Sequence, residues 1–328
     1  MKFTKISILF PTYNEQENLP LLYKRLSSTV NYLSEYNFEF IFIDDCSSDK
    51  TPIEINNLRE RDKRVHHLRF SRNCGSHAAV AAGLSFCNGD LAIVLAADLQ
   101  DPPEIIPSLI EQWKKGYKIV WGSRKKRKGE KLITLAMSRL YYFLMNRYAE
   151  VKQLPAGADV FLVDRIVIDA YNKSPEKNTS VTMLIAWLGF SQTYITYVKE
   201  SRYAGTSKWT TSKRFKLFFD SLISFSYVPL RFMSLMGAIS GFLGLLYGLV
   251  VLVNALRGNP IQGWSSLMIV VLLIGGFQMG MMGMLGEYLW RTYDETRGRP
   301  RYVIEKNTLL EGASCNCDGK KHNDDEKL

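Results

Sequence analysis

The chain has 328 residues, with 42 Lys and Arg against 32 Asp and Glu and a formal net charge of +10. That length admits one large domain and an appendage, and the composition up to about residue 205 is that of an ordinary globular protein. The basic excess does not indicate nucleic-acid binding, because no helix-turn-helix, zinc-finger or RNP pattern occurs; a basic face beside anionic lipid explains it more simply.

The first predicted element is a short buried strand, Ile6-Ser7-Ile8-Leu9-Phe10, broken by Pro11 and followed by Thr12-Tyr13-Asn14-Glu15. A second strand, Phe38 to Ile43, ends in Asp44-Asp45-Cys46-Ser47-Ser48-Asp49. A third, around Leu68-Arg69-Phe70, leads into Ser71-Arg72-Asn73-Cys74-Gly75. The fourth, Ile93-Val94-Leu95-Ala96, stops in Ala97-Asp98-Leu99-Gln100-Asp101-Pro102-Pro103, where the prolines end the strand and can open the next helix. Taken alone, that run also reads as Asp and Pro merely punctuating a strand. A fifth apolar run ends at Trp121-Gly122-Ser123-Arg124. Helical patterns separate the first four runs, and each of those runs ends in a polar cluster. That is the βαβ alternation of a parallel sheet with one functional edge, at the carboxyl ends of its strands.

The C-terminal third is different. No charged residue occurs from Phe232 to Leu256, and none from Gly258 to Gly286. Each stretch exceeds the ~20 apolar residues that cross a bilayer core. A buried hairpin of a soluble protein is the alternative. Gly237, Gly241, Gly244 and Gly248, and then Gly276, Gly280 and Gly283, suit close helix packing in lipid and permit a homo-oligomer. The connecting loop, Arg257 to Trp264, carries one charge. Lys208, Lys213, Arg214, Lys216 and Arg231 precede the spans, and Arg291, Arg297, Arg299 and Arg301 follow them. The positive-inside tendency puts both flanks in the cytoplasm and the loop outside. Met1 leads almost at once into a strand with no signal-peptide pattern, so the large domain is expected to stay cytoplasmic. Between core and spans, Phe215, Leu217, Phe218, Leu222, Ile223 and Phe225 alternate with charges, as in a helix lying at the interface or a linker helix packed on protein. Five scattered cysteines are expected to be reduced thiols. Cys315, Cys317 and His322 find no matching metal-ligand pair elsewhere, and the polar tail after Gly312 reads as disordered.

The strand-end clusters supply what a nucleotide-sugar site needs. Asp44 and Asp45 can accept from base or ribose groups. Asp98 and Gln100 can hold a divalent cation, Mg or Mn, that neutralises a diphosphate. Arg124 can reach phosphate. A dehydrogenase would carry a glycine fingerprint where this chain has Pro-Thr-Tyr-Asn-Glu, and a P-loop kinase would carry Gly-Lys-Ser/Thr.

These residues resemble glycosyltransferase family 2, and within it the membrane-anchored polyprenyl-phosphate glycosyltransferases such as bactoprenol glucosyltransferases and dolichol-phosphate mannose synthases. Pro11 to Glu15 matches P-x-Y-N-E, Asp44 to Asp49 matches D-D-x-S-x-D, and Asn73-Cys74-Gly75 with Ala79 and Gly83 matches N-x-G before a small-residue helix. Ala97 to Pro103 matches A-D-L-Q-x-P-P, and Arg202 to Lys208 matches R-x-x-G-x-S-K. The match covers about residues 4 to 300. It implies a GT-A fold, α/β with a Rossmann-like, mostly parallel sheet. It implies an inverting, metal-dependent transfer of a hexose, glucose from UDP-glucose first, to a polyprenyl phosphate at the inner cell membrane. Mannose or an amino sugar is the alternative, and an inactive membrane scaffold or lipid carrier is the alternative of another class. A processive polysaccharide synthase would carry Q-x-x-R-W, which this chain lacks.

By this resemblance Pro11, Tyr13, Glu15, Asn73 and Gly75 join Asp44, Asp45 and Asp98 at the nucleotide-sugar. Asp159 with Arg124 is catalytic, and Arg202, Ser207 and Lys208 hold the acceptor phosphate. The chain departs from the family where D-x-D begins with Ala96, and at Ala156 and Phe161. The expected organisation is a transferase domain over 1–205, an amphipathic segment over 206–231, spans over 232–256 and 265–286, a cytoplasmic segment over 287–311 and a tail over 312–328.

Overall fold

The computed structural model describes residues 4–124, 160–174, 176, 179–204, 228–257 and 263–311. Among these the strands are β1 (Thr4–Thr12), β2 (Tyr36–Asp44), β3 (Val65–Phe70), β4 (Leu91–Val94), β5 (Ile119–Arg124), β6 (Val160–Asp164), β7 (Gln192–Tyr197) and β8 (Ile304–Asn307). They form one sheet in the order β7-β5-β6-β4-β1-β2-β3-β8. β1 pairs in parallel with β2 and β4, β2 with β3, and β5 with β7. Only β6 and β8 run against the rest. The sheet is therefore the mostly parallel α/β sheet expected.

Period-2 alternation builds the core on both faces. On β1 and β2, Ile6, Ile8, Phe10, Phe38, Phe40 and Phe42 enter one cluster with Leu19, Leu22 and Leu26 of helix α1 (Leu19–Asn31). Leu9, Ile41 and Ile43 enter the opposite cluster with the alanines of helix α3 (Ser76–Phe86). Helix α2 (Thr51–Arg61) lies between them in the chain. Small residues let α3 approach closely: a Cβ on Gly83 would stand 3.0 Å from Leu9 Cδ1. Pro103 opens a short 3₁₀ turn into α4 (Ile106–Lys114), as the paired prolines predict. Helices α5 (Arg165–Asn172) and α6 (Val181–Trp187) follow β6.

Pro11 does not break the first strand. β1 continues through Pro11↔Ile43 to Thr12↔Asp44, whereas its ladder with β4 ends at Leu9↔Val94. Proline is tolerated there because one side of β1 no longer needs a donor.

Two long helices follow, α7 (Val228–Leu256) and α8 (Trp264–Thr296). Both are long and apolar enough to cross a membrane. Their large side chains are not covered by protein: Leu245 is 70% exposed and Met279 71%. α8 runs past the predicted span end at 286, with a Glu287–Arg291 pair at 3.2 Å supporting its continuation. The chain then returns to the sheet. The sequence pattern set 287–311 apart from the catalytic domain, but β8 pairs antiparallel with edge strand β3 and leads into the short helix α9 (Thr308–Glu311).

Candidate active site

The exits of β1, β2, β3 and β4 open side by side on one edge of the sheet. Three of them turn through a left-handed residue that is not glycine: Asn14 (φ 53°) after β1, Cys46 (φ 59°) after β2 and Leu99 (φ 61°) after β4. This region costs an ordinary side chain about 1–3 kcal/mol, so the surroundings must hold it. For Leu99 the compensation is burial of its side chain in the core.

The β1 and β2 exits are zipped together. Asn14 N donates to Ser47 Oγ (2.9 Å), Ser48 N to Asn14 Oδ1 (2.8 Å) and Glu15 N to Thr51 Oγ1 (2.8 Å). Asp45 N donates to Thr12 O (2.9 Å). The segment from Pro11 to Glu15 is thereby fastened to the loop that follows Asp44 and Asp45.

The paired aspartates already have internal partners. Asp44, fully buried, accepts from Ser47 N (2.9 Å) and from the Arg69 guanidinium, with His67 Nε2 at 3.8 Å. Burial alone would raise its pKa; the nearby His67 imidazole, the hydrogen bond from Ser47 and the charge of Arg69 outweigh it, so the carboxyl titrates below its ordinary range. Asp45 accepts from Cys74 N (2.6 Å) and Gly75 N (2.8 Å) at the start of α3. Its pKa is raised, first by burial and then by the neighbouring Asp44 charge, against the lowering effect of those two amides. Gly75, at φ 90°, is needed for this turn, and Asn73 Nδ2 donates to Asp45 O (3.3 Å). The expectation that both aspartates face base or ribose therefore has to share them with the loops that they build.

The β4 exit is zipped to the segment after β7. Asp98 Oδ1 accepts from Gln100 N (3.1 Å), and Glu200 N donates to Gln100 O (2.9 Å). The buried Asp101 accepts from Tyr197 Oη (2.6 Å), with Lys199 Nζ at 3.7 Å. Arg25 of α1 forks onto Glu104 (2.9 and 2.8 Å) and again onto Glu200 (2.9 and 2.9 Å). These ties carry Arg202 onto the β4 exit, where its Nη2 donates to Asp98 Oδ2 at 2.6 Å.

Asp98, Gln100 and Arg202 thus come together at the β4 exit, although Arg202 lies 104 residues beyond Asp98 in sequence. The motifs named each of them but did not predict that Arg202 meets Asp98. Exposed Arg124 closes the same edge, in register with Tyr197. Asp159, Ser207, Lys208 and the basic run 125–128 lie outside the described residues. So do most of the amphipathic segment, the loop over 258–262 and the tail over 312–328. Sequence reading missed Arg25, Arg69, Asp101 and Tyr197. Asp101 sits inside a recognised motif, but its partners are remote and carry no motif.

A family model described as glycosyl transferase family 2 matches residues 7–176. An uncharacterized glycosyltransferase of Bacillus subtilis, YkcC, is 38% identical over 93% of this chain and 94% of its own. A bactoprenol glucosyl transferase of Shigella phage SfII is 36% identical over 92% of this chain and 98% of its own. A solved structure of glucosyl-3-phosphoglycerate synthase from Mycobacterium tuberculosis, in complex with Mn2+, UDP-glucose and phosphoglyceric acid, is similar with a TM-score of 0.48 and 14% identity. It covers 66% of this chain and 76% of that one.

The lowered Asp44 pKa sets a pH window. A carboxyl depressed in the folded state stabilises above its unfolded pKa of about 3.9, and that contribution is lost as pH falls through the folded value. Asp44→Asn should therefore cost about 1.5–3 kcal/mol at pH 7, as expected for lost charge-assisted hydrogen bonds. The gap to wild type should narrow at pH 3. Thermal unfolding of both proteins at the two pH values checks this; an unchanged gap would mean that the charge of Asp44 does not hold the loop.

Proposed function

The chain belongs to glycosyl transferase family 2, and on that premise we propose that it transfers glucose from UDP-glucose to a polyprenyl phosphate at the cytoplasmic face of a membrane, with inversion. The observation that carries this reading is the meeting of Asp98 and Arg202 beside the zipped β1 and β2 exits. A carboxylate for a cation is paired with a guanidinium for phosphate, on the edge where a parallel sheet binds ligands. The bactoprenol glucosyl transferases among the relatives support the lipid acceptor.

The residues fit a divalent cation of shared coordination. Among the described residues no group of three His, Cys, Asp or Glu is set to hold a metal. Asp98 and Gln100 nevertheless offer hard oxygen donors, and a diphosphate would bring others. With Ala96 in place of a first aspartate, the chain itself contributes few of the ligands. When bound, Mg or Mn neutralises charge on the leaving diphosphate.

The chain's own groups supply position and charge. A lipid phosphate resembling a phosphate monoester has a second pKa of about 6, so it is largely a dianion at neutral pH. Its oxygen attacks the sugar C1 as the bond from C1 to the diphosphate oxygen breaks, and UDP leaves with the electron pair. No proton has to be removed, so orientation and charge stabilisation can provide most of the rate. Asp159 then serves to orient sugar or acceptor. Arg202, with Ser207 and Lys208, holds the acceptor phosphate; guanidinium geometry suits bidentate contact. Arg124 meets phosphate from the β5 side. The Tyr13 to Glu15 turn and the Asp44 to Gly75 loops surround the nucleotide.

The membrane reading rests on two apolar helices whose outer surfaces are uncovered. It gains support from connectivity. β7 and β8 belong to one sheet although both long helices lie between them in the chain, so a chain that crosses a membrane between them must cross an even number of times. Both termini then share the domain's side, and the basic flanks put that side in the cytoplasm.

Transfer to polyprenyl phosphate, screened over UDP-glucose, other UDP-hexoses and GDP-mannose with Mn, tests the activity and its sugar. Asp98→Asn should remove most turnover and weaken metal-dependent donor binding in a folded protein; wild-type rates at ordinary Mg would sink the assignment. Arg202→Ala should lose a charge-assisted contact worth about 1.5–3 kcal/mol, seen in acceptor KM or rate rather than in UDP affinity. Equal loss of UDP affinity would move Arg202 to the donor diphosphate. A cysteine placed in 258–262 should react with an impermeant thiol reagent added outside intact cells. Protection there, with labelling near residue 311, would reverse the topology.

A further inference from the structure

The segment that returns from α8 is fastened to the domain at every step. Arg301 donates to Thr179 O (3.0 Å), and the Tyr302 ring stacks on Phe70 with centroids 5.1 Å apart. Ser71 N donates to Val303 O (3.0 Å). Thr308, 3% exposed, accepts at Oγ1 from His67 N (2.8 Å) and donates to His67 O (3.3 Å), so one hydroxyl satisfies both outward backbone groups of a β3 residue. Without this strap β3 would be an open sheet edge.

One contact reaches further. Arg69 Nε donates to Glu305 Oε2 at 3.0 Å, while the other end of the same guanidinium donates to buried Asp44 and to Ser47 O (3.3 Å). Ser47 Oγ in turn holds Asn14 N at the β1 exit. A continuous path of charged and polar contacts therefore runs from β8 through Arg69 to both loops assigned above to the nucleotide. A guanidinium is planar and rigid, so a partner fixing Nε also fixes the direction of its remaining N–H groups.

We propose that the strap over 301–309 is a positioning element for donor binding, with Glu305 and Arg69 as its positioning residues. Through it, seating of the chain that follows the second apolar helix sets the geometry of the nucleotide loops. The proposal rests on the donor assignment above for its binding consequence, and on geometry alone for the coupling of strap to loop.

The test uses the full-length protein in lipid nanodiscs. Two readouts are taken: amide hydrogen exchange at 46–49 and at 301–309, and UDP affinity alongside donor and acceptor KM. Glu305 is 57% exposed at its side chain, so Glu305→Ala should fold normally. It should weaken UDP binding by up to about fivefold, the range of a partly exposed ion pair. Glu305→Ala with Thr308→Val should speed exchange in both segments and weaken UDP binding about tenfold, with acceptor KM within about twofold of wild type. Glu305→Gln, which keeps an acceptor for Nε, should recover most of the single-variant loss. The proposal is overturned if the double variant frees 301–309 while exchange at 46–49 and UDP affinity stay at wild-type values. It is equally overturned if donor and acceptor KM rise together, as a general loss of structure would make them. If wild-type protein binds no UDP, the donor assignment fails separately, and the exchange data alone decide whether strap and loop are coupled.

Discussion

Four carboxylates leave water along one edge of this sheet: Asp44 and Asp101 are fully buried, Asp45 is 4% exposed and Asp98 9%. A buried charge is costly unless paired and hydrogen-bonded. Each therefore recruits donors, and the donors come from distant parts of the chain. Asp44 draws in Arg69 from β3, Asp45 the amides that open α3, Asp101 Tyr197, and Asp98 Arg202. Satisfying these charges is what shapes the loops. The left-handed residues at Asn14, Cys46 and Leu99 are tolerable because hydrogen bonds on either side, or a buried side chain, hold the turns in place.

The result is an edge made stiff before any substrate arrives. Stiffness suits the chemistry proposed, in which an already ionised phosphate needs aim and a charged surrounding more than a base. Fixed dipoles and cations avoid reorganisation during the reaction. The Arg25 double fork illustrates how far the support extends, since its two carboxylate partners hold the guanidinium pKa above even the ordinary arginine value. Lysine could not span Glu104 and Glu200 with the same planar geometry.

Connectivity adds a constraint that the catalytic edge alone would not reveal. β8 is contributed by residues that follow both long helices, yet it completes the sheet beside β3. The same domain thus includes residues that precede α7 and residues that follow α8 in the chain. The latter place Glu305 within reach of the Arg69 that serves Asp44.

Local pattern was enough for the parallel strands and their polar exits, because alternation, prolines and acidic clusters are properties of adjacent residues. It was enough for the two apolar helices, since length and absence of charge need no partner to be read. It also picked out Asp44, Asp45, Asn73, Asp98, Gln100 and Arg202 as residues of interest. It misjudged Pro11, whose tolerance depends on where the β4 ladder stops. It missed β8 because Ile304-Glu305-Lys306-Asn307 has no strand alternation of its own and becomes a strand only against β3. Likewise nothing in the sequence couples Arg69 to Asp44, or Arg202 to Asp98. Those pairings arise when burial forces each carboxylate to find a donor, and only the packed chain decides which donor is near.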